Sequence, residues 1–237
     1  MKNIFRELNS YRKIVFNLRW TENRERMDKV EKDFNQLNKA IMEEGNIRFN
    51  REILDKQSIP EAFNIVIIDL EGDNPPKLLG ILIRNNMFFY GLKESKTNEF
   101  FNCLYRVLKL LKDLLVFAFS FWDFDMINHI KEILKKDYGY TNSQLSIIDS
   151  ILNNYYNLQE YDKESVISAL YAFGVKESQV PKDPLYRKSF LINQLFADNF
   201  YNIIQEHNRS CLQAELILLK RYVRKNLIPF TKVTNYN

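Results

Sequence analysis

The stretch IVIIDLEGDNPP, residues 65 to 76, decides how the rest of the chain is read. Four β-branched residues run directly into Asp69, Glu71 and Asp73, and two prolines then close the segment. A run this short and this rich in β-branched side chains predicts a buried strand that ends at the prolines. Side chains alternate along a strand, so Asp69 and Glu71 share one face while Leu70 points to the other. Carboxylates held this close repel each other unless something cationic compensates them. Two acids at a strand's end suit magnesium or manganese, which prefer hard oxygen ligands; a strand leaving into solvent would carry the same residues. The stretch alone leaves both readings open.

Working outward, KLLGILIRN and NMFFYGL are two more strand candidates around Asn85-Asn86, and with the first they predict an antiparallel meander. Residues 98 to 115, NEFFNCLYRVLKLLKDLL, carry apolar residues at helical spacing, and LVFAFSFW follows as a fourth strand. On that strand Phe117, Phe119, Phe121 and Trp122 read as core packing. FDMINHIKEILKK, residues 124 to 136, predicts a helix closed by Gly139. Helical stretches are expected around SQLSIIDSILNNYY and KESVISALYAFGV, then one long helix from Phe190 to Asn226, interrupted near His207-Asn208. Strands followed by alternating and then mostly helical segments imply an α/β sheet with helices on its faces.

Residues 1 to 60 read as a helical N-terminal appendage to a main domain over 61 to 237. Met27, Val30, Phe34 and Leu37 fall at helical spacing, and Ser58-Ile59-Pro60 punctuates the boundary. Basic residues Arg12, Lys13, Arg19, Arg24 and Arg26 interleave with Glu22, Glu25, Asp28 and Glu31, which predicts ion pairs along a solvated helix. A protein partner could dock on these helices.

Composition narrows the classes without selecting one. The 237 residues are 46% hydrophobic with a net charge of +4, enough for a full core and compatible with an anionic partner. Cys103 and Cys211 have no disulfide or zinc-knuckle spacing and read as reduced thiols of a cytoplasmic protein. LLVFAFSFW is far shorter than the roughly 20 residues a membrane helix needs. None of the six glycines forms a phosphate-cradling loop, and no G-x-S-x-G elbow or H-E-x-x-H helix occurs. A zinc site would have to combine His207 and Cys211 with acids distant in sequence, and is not the expectation.

The ordered set IIDLEGDNP, two strands, an amphipathic helix, FAFSFWD and EHNRSCLQAELILLKRYV resembles the RNase H-like exonucleases with four acidic positions. Within them it is most similar to the predicted ribonuclease H-like domain that accompanies RecB-type nucleases. There the first motif reads D-I-E-G-D-P, against Asp69-Leu70-Glu71-Gly72-Asp73-Asn74-Pro75 here. The resemblance implies a mixed sheet, with an antiparallel meander and parallel strands, over residues 63 to 226. It implies magnesium or manganese at Asp69, Glu71 and an acid of the second motif, either Asp123 or Asp125. Each of the latter is also placed to complement the start of a helix.

The third motif departs from the pattern. Relatives carry Tyr-Asn-x-x-Asp-Cys, whereas this chain has His207-Asn208-Arg209-Ser210-Cys211-Leu212, so Cys211 replaces a metal-binding aspartate. A thiolate is a poor ligand for magnesium. Glu215, one helical turn beyond, could supply the missing acid, and His207 could orient or deprotonate the attacking water. Lys220, Arg221 and Arg224, beside Lys225, are the candidate nucleic-acid contacts. Two expectations follow: a 3′-to-5′ exonuclease acting on DNA or RNA, or an RNase H-like module that keeps the fold, lacks the chemistry, and binds nucleic acid or bridges proteins.

Overall fold

The computed structural model describes residues 20–54, 59, 64–94, 96–159, 165–224 and 231–232. Its centre is the predicted strand β2 (Ile65–Glu71), paired antiparallel with β3 (Leu78–Ile83), which pairs antiparallel with β4 (Asn86–Gly91). On the other side of β2 lie two parallel strands, β5 (Leu115–Ala118) and then β6 (Tyr155–Asn157). The edges are β1 (Arg48–Ile53), antiparallel to β4, and β7 (Thr231–Lys232), antiparallel to β6. The sheet is mixed, in the order β1-β4-β3-β2-β5-β6-β7.

Both faces are covered, and strand parity decides which residue faces which layer. Val66, Ile68 and Leu70 pack into one apolar cluster with α1 (Trp20–Glu44), α2 (Thr97–Leu111), α3 (Phe121–Lys136) and α4 (Asn142–Asn153). Ile65 and Ile67 pack into the other, with α5 (Val166–Ala172), α6 (Ile192–Ala197) and α7 (Tyr201–Arg224). Asp69 and Glu71 continue the parity of Ile65 and Ile67, so β2 presents them to the layer that holds α7. Among the described residues no helix is long and apolar enough to cross a membrane.

Several expectations need correction. The reading of residues 1 to 60 as a helical appendage fails at β1, whose residues RFNREI are exposed or half-buried along the sheet's edge. Nor is α1 separate, since Met27, Phe34 and Ile41 are buried in the main core. Phe34 stacks on Phe88 at 5.4 Å, and Tyr90 donates a hydrogen bond to Asn38. Burying three such side chains contributes roughly 1.5–3 kcal/mol each. Asp28 and Glu31 pair with Arg84 across the fold, not along their own helix, while Lys39 and Glu43 do make a local pair. Residues 1 to 19, including Arg12, Lys13 and Arg19, lie outside the described residues.

The fourth strand stops at Ala118, and α3 begins at Phe121, three residues before the predicted start. Phe117 and Phe119 are therefore buried, whereas Phe121 and Trp122 stand exposed on the first turn of α3. Tyr155 and Tyr156, read as the tail of a helix, belong to β6. The long C-terminal helix is interrupted at residues 198–200, where Asn199 takes a positive φ of 62°, and α7 runs unbroken through His207.

Candidate functional site

Three elements deliver acids to one place. Asp69 and Glu71 come from the C-terminal end of β2, Asp123 from the first turn of α3, and Glu215 from the middle of α7. Glu71, Asp123 and Glu215 are 6%, 3% and 1% exposed. Asp123 and Glu215 border a cleft of about 610 Å³ whose walls also include Asp69, Asp183, His207 and Cys211. Asp125, the alternative in the second motif, points into solvent from the outer side of α3.

Local structure fixes each acid. Asp123 Oδ1 accepts the Leu70 backbone N–H at 2.9 Å, tying α3 to β2, and Oδ2 accepts from the Ser120 hydroxyl at 2.9 Å. Ser120 is the residue before the helix, and its side chain serves Asp123 and not a backbone amide. Asp69 is held by the Asn208 amide, which donates to its carboxylate at 2.8 Å and to its backbone carbonyl at 3.0 Å. Asn208 reaches that far because residue 80 on β3 is glycine: a Cβ there would overlap Asn208 Oδ1 and crowd Leu212. Asn208 is wholly buried, and its Oδ1 has no hydrogen-bond partner among the described residues.

The electrostatics are those of crowded, dry carboxylates. Burial, followed by the charges of Glu71, Asp123 and Glu215, holds Asp69 well above the ordinary range. Burial likewise pushes Asp123 up to about 7. Glu215 is raised well above its usual value by burial and then by Asp123, against a favourable contact from the Phe119 amide. Its Oε2 has no hydrogen-bond partner among the described residues. A buried acceptor without a donor and several acids facing each other are what a bound divalent cation would relieve. Asp69, Glu71, Asp123 and Glu215 therefore suit a hard cation by donor type and by charge.

His207 sits at the cluster's edge. Its Nδ1–H donates to Asp183 Oδ1 at 2.6 Å, and its Nε2 lies 3.4 Å from Glu71 Oε1 and 4.0 Å from Cys211 Sγ. Burial opposes the imidazolium, but the Asp183 hydrogen bond and the charges of Glu71 and Asp183 outweigh it, so His207 titrates above the ordinary value. Burial and then the surrounding carboxylates raise the Cys211 thiol well above its usual range.

Asp183 was not anticipated from the sequence. It lies in PKDP, a turn signal with no periodicity, and its carboxylate also accepts the Leu185 amide at 2.8 Å. Nor were Arg187, Ser165, Ser168 and Ser189, which line the cleft from loops and from α5. The expected nucleic-acid contacts lie elsewhere: Lys220 and Arg221 are half-buried further along α7 and are not among the cleft-lining residues. The side chain of Arg224, and Lys225 altogether, lie outside the described residues. No protein-family model, curated protein or solved structure matches the chain.

Proposed function

We propose that the protein is a metal-dependent nuclease with an RNase H-like sheet, acting on DNA or RNA as a 3′-to-5′ exonuclease. The observation that carries this reading is the convergence of Asp69, Asp123 and Glu215 from three separate segments onto one cleft, with the buried Glu71 beside Asp69. The mixed sheet, an antiparallel meander continued by parallel strands, agrees with the fold the sequence resemblance implies. Glu215 stands in for the acid that Cys211 replaces, since it is buried and electrostatically coupled to Asp69 and Asp123.

Magnesium or manganese held by these four acids would neutralise them and supply the Lewis acidity that activates water and stabilises a leaving oxygen. The chain's own groups do the rest. Asp183 fixes the His207 ring with Nε2 turned toward Glu71, where Nε2 can take a proton from an attacking water while Asp183 stabilises the imidazolium. Arg187, Ser165 and Ser168 on the cleft wall offer donors for phosphate oxygens. Phe121 and Trp122, exposed beside Asp123, offer faces on which unpaired bases can stack.

The test is digestion of end-labelled single strands with manganese. Cleavage from the 3′ end that falls roughly 10³-fold or more in Asp69→Asn supports the reading, and equal rates in both proteins end it. The thiol of Cys211 specifically favours the second reading, a module without chemistry. An inert parent made active by Cys211→Asp would establish that alternative.

A further inference from the structure

The acid cluster leaves three side chains to explain at its edge. His207 and Cys211 are four residues apart on α7 and so share a face, while Glu71 approaches from the end of β2. One ligand atom from each lies within 4.8 Å of the others. Glu71 and His207 are 6% and 7% exposed, while both His207 and Cys211 reach the cleft.

The set differs in kind from the four hard acids. One imidazole nitrogen, one sulfur and one carboxylate oxygen are zinc donors, with bonds of about 2.0–2.3 Å. Tetrahedral geometry at those lengths separates neighbouring donors by about 3.4–3.6 Å. The Nε2 to Oε1 distance of 3.4 Å already meets this, and the Nε2 to Sγ distance of 4.0 Å needs a small closure. Asp183 supplies the remaining feature of such a site: with Nδ1–H donated to a carboxylate, the tautomer is fixed and Nε2 is left as the ligand atom. A histidine serving only as packing would not need a buried carboxylate behind it.

We propose that Glu71, His207 and Cys211 form a zinc site with an open fourth position facing the cleft, sharing Glu71 with the hard-cation cluster and differing from it in its nitrogen and sulfur donors. Binding releases the Cys211 proton to solvent and the thiolate becomes a ligand. The site does not depend on the nuclease reading, because three ligands hold zinc whether or not the chain cleaves anything. If it does cleave, zinc occupies the nitrogen that would accept a proton, and zinc inhibits the manganese-supported reaction.

Chelator-stripped protein titrated with cobalt tests this through a thiolate-to-cobalt charge-transfer absorption, with zinc affinity measured by competition against a chromophoric chelator. One cobalt per chain and the absorption are expected in the native protein. Cys211→Ser should abolish the absorption although Cys103 remains, and Asp183→Asn should weaken zinc binding roughly 10- to 100-fold with the absorption retained. Asp69→Asn should keep the absorption while losing any manganese-dependent cleavage, which separates failure of this site from failure of the nuclease reading. Circular dichroism identical to the parent's qualifies each variant. A native protein with no charge-transfer absorption, or a folded Cys211→Ser that binds zinc as tightly as the parent, overturns the proposal.

Discussion

Arg84, at the turn between β3 and β4, and Asp69, near the opposite end of β2, are both ionisable groups set into the rim of the same sheet. Their surroundings differ. Arg84 donates to Asp28 at 2.5 Å and to Glu31 at 2.6 Å, and Glu31 also accepts from Asn86, so two carboxylates answer the guanidinium's charge, while its Nε has no hydrogen-bond partner among the described residues. At the other end five acids gather, and among the described residues His207 is the one basic side chain that pairs with any of them. The first end holds its cation with carboxylates of the protein itself. The second buries several acids against one another, which costs folding free energy, and such perturbed clusters are common at functional sites.

The largest consequence is a pH dependence confined to the acid end. Asp123 titrates at about 7 in the folded chain against an ordinary value of 3.8. A carboxyl raised on folding contributes stability that is fully present below the ordinary value and lost as pH rises through about 7. The full span is roughly 4 kcal/mol. Urea midpoints of the metal-free protein should therefore fall between pH 4 and 7, and Asp123→Asn, which keeps the acceptor for the Leu70 amide, should flatten that part of the curve. Manganese should restore more stability at pH 7 than at pH 5. Parallel curves for parent and variant would mean that the acid end is as well compensated as the Arg84 end.

Arg84→Ala probes the matched end. Removing one partner of a fully buried pair costs about 3–5 kcal/mol, but Asp28 is 59% exposed and can recover water, so about 2 kcal/mol is expected. The loss should be the same with and without manganese. A manganese-dependent loss would show that the two ends communicate through β2 and β3.

This contrast was half legible in the sequence. Parity along IVIIDLE put Asp69 and Glu71 on one face because that signal is local and periodic, whereas the second-motif acid rested on the family resemblance and stayed open between Asp123 and Asp125. Asp183 and Asn208 act through tertiary closure, and no local pattern marks a turn aspartate that will meet a helix 24 residues later. Gly80, a lone glycine in an apolar strand, was the available trace of α7's close approach. At the matched end the same limit applies: Asp28 and Glu31 read as helix-surface charges because their partner lies more than 50 residues away. The strands β1 and β6 were missed because one is polar at an edge and the other is three residues long.

Glu215→Gln gives the smallest and sharpest effect. Glu215 is 1% exposed, its Oε2 has no partner among the described residues, and burial with Asp123 nearby disfavours its charge. Glutamine has nearly the same shape, keeps an oxygen for the Phe119 amide, and replaces the second oxygen with a donor where the neighbours are acids. The metal-free variant should be more stable than the parent by about 1 kcal/mol. With saturating manganese the order should reverse, because the parent alone offers the full set of carboxylates. Thermal midpoints of both proteins with and without manganese decide this: a variant less stable in both states would make Glu215 a structural charge like Arg84, and the two ends of the sheet would then be alike.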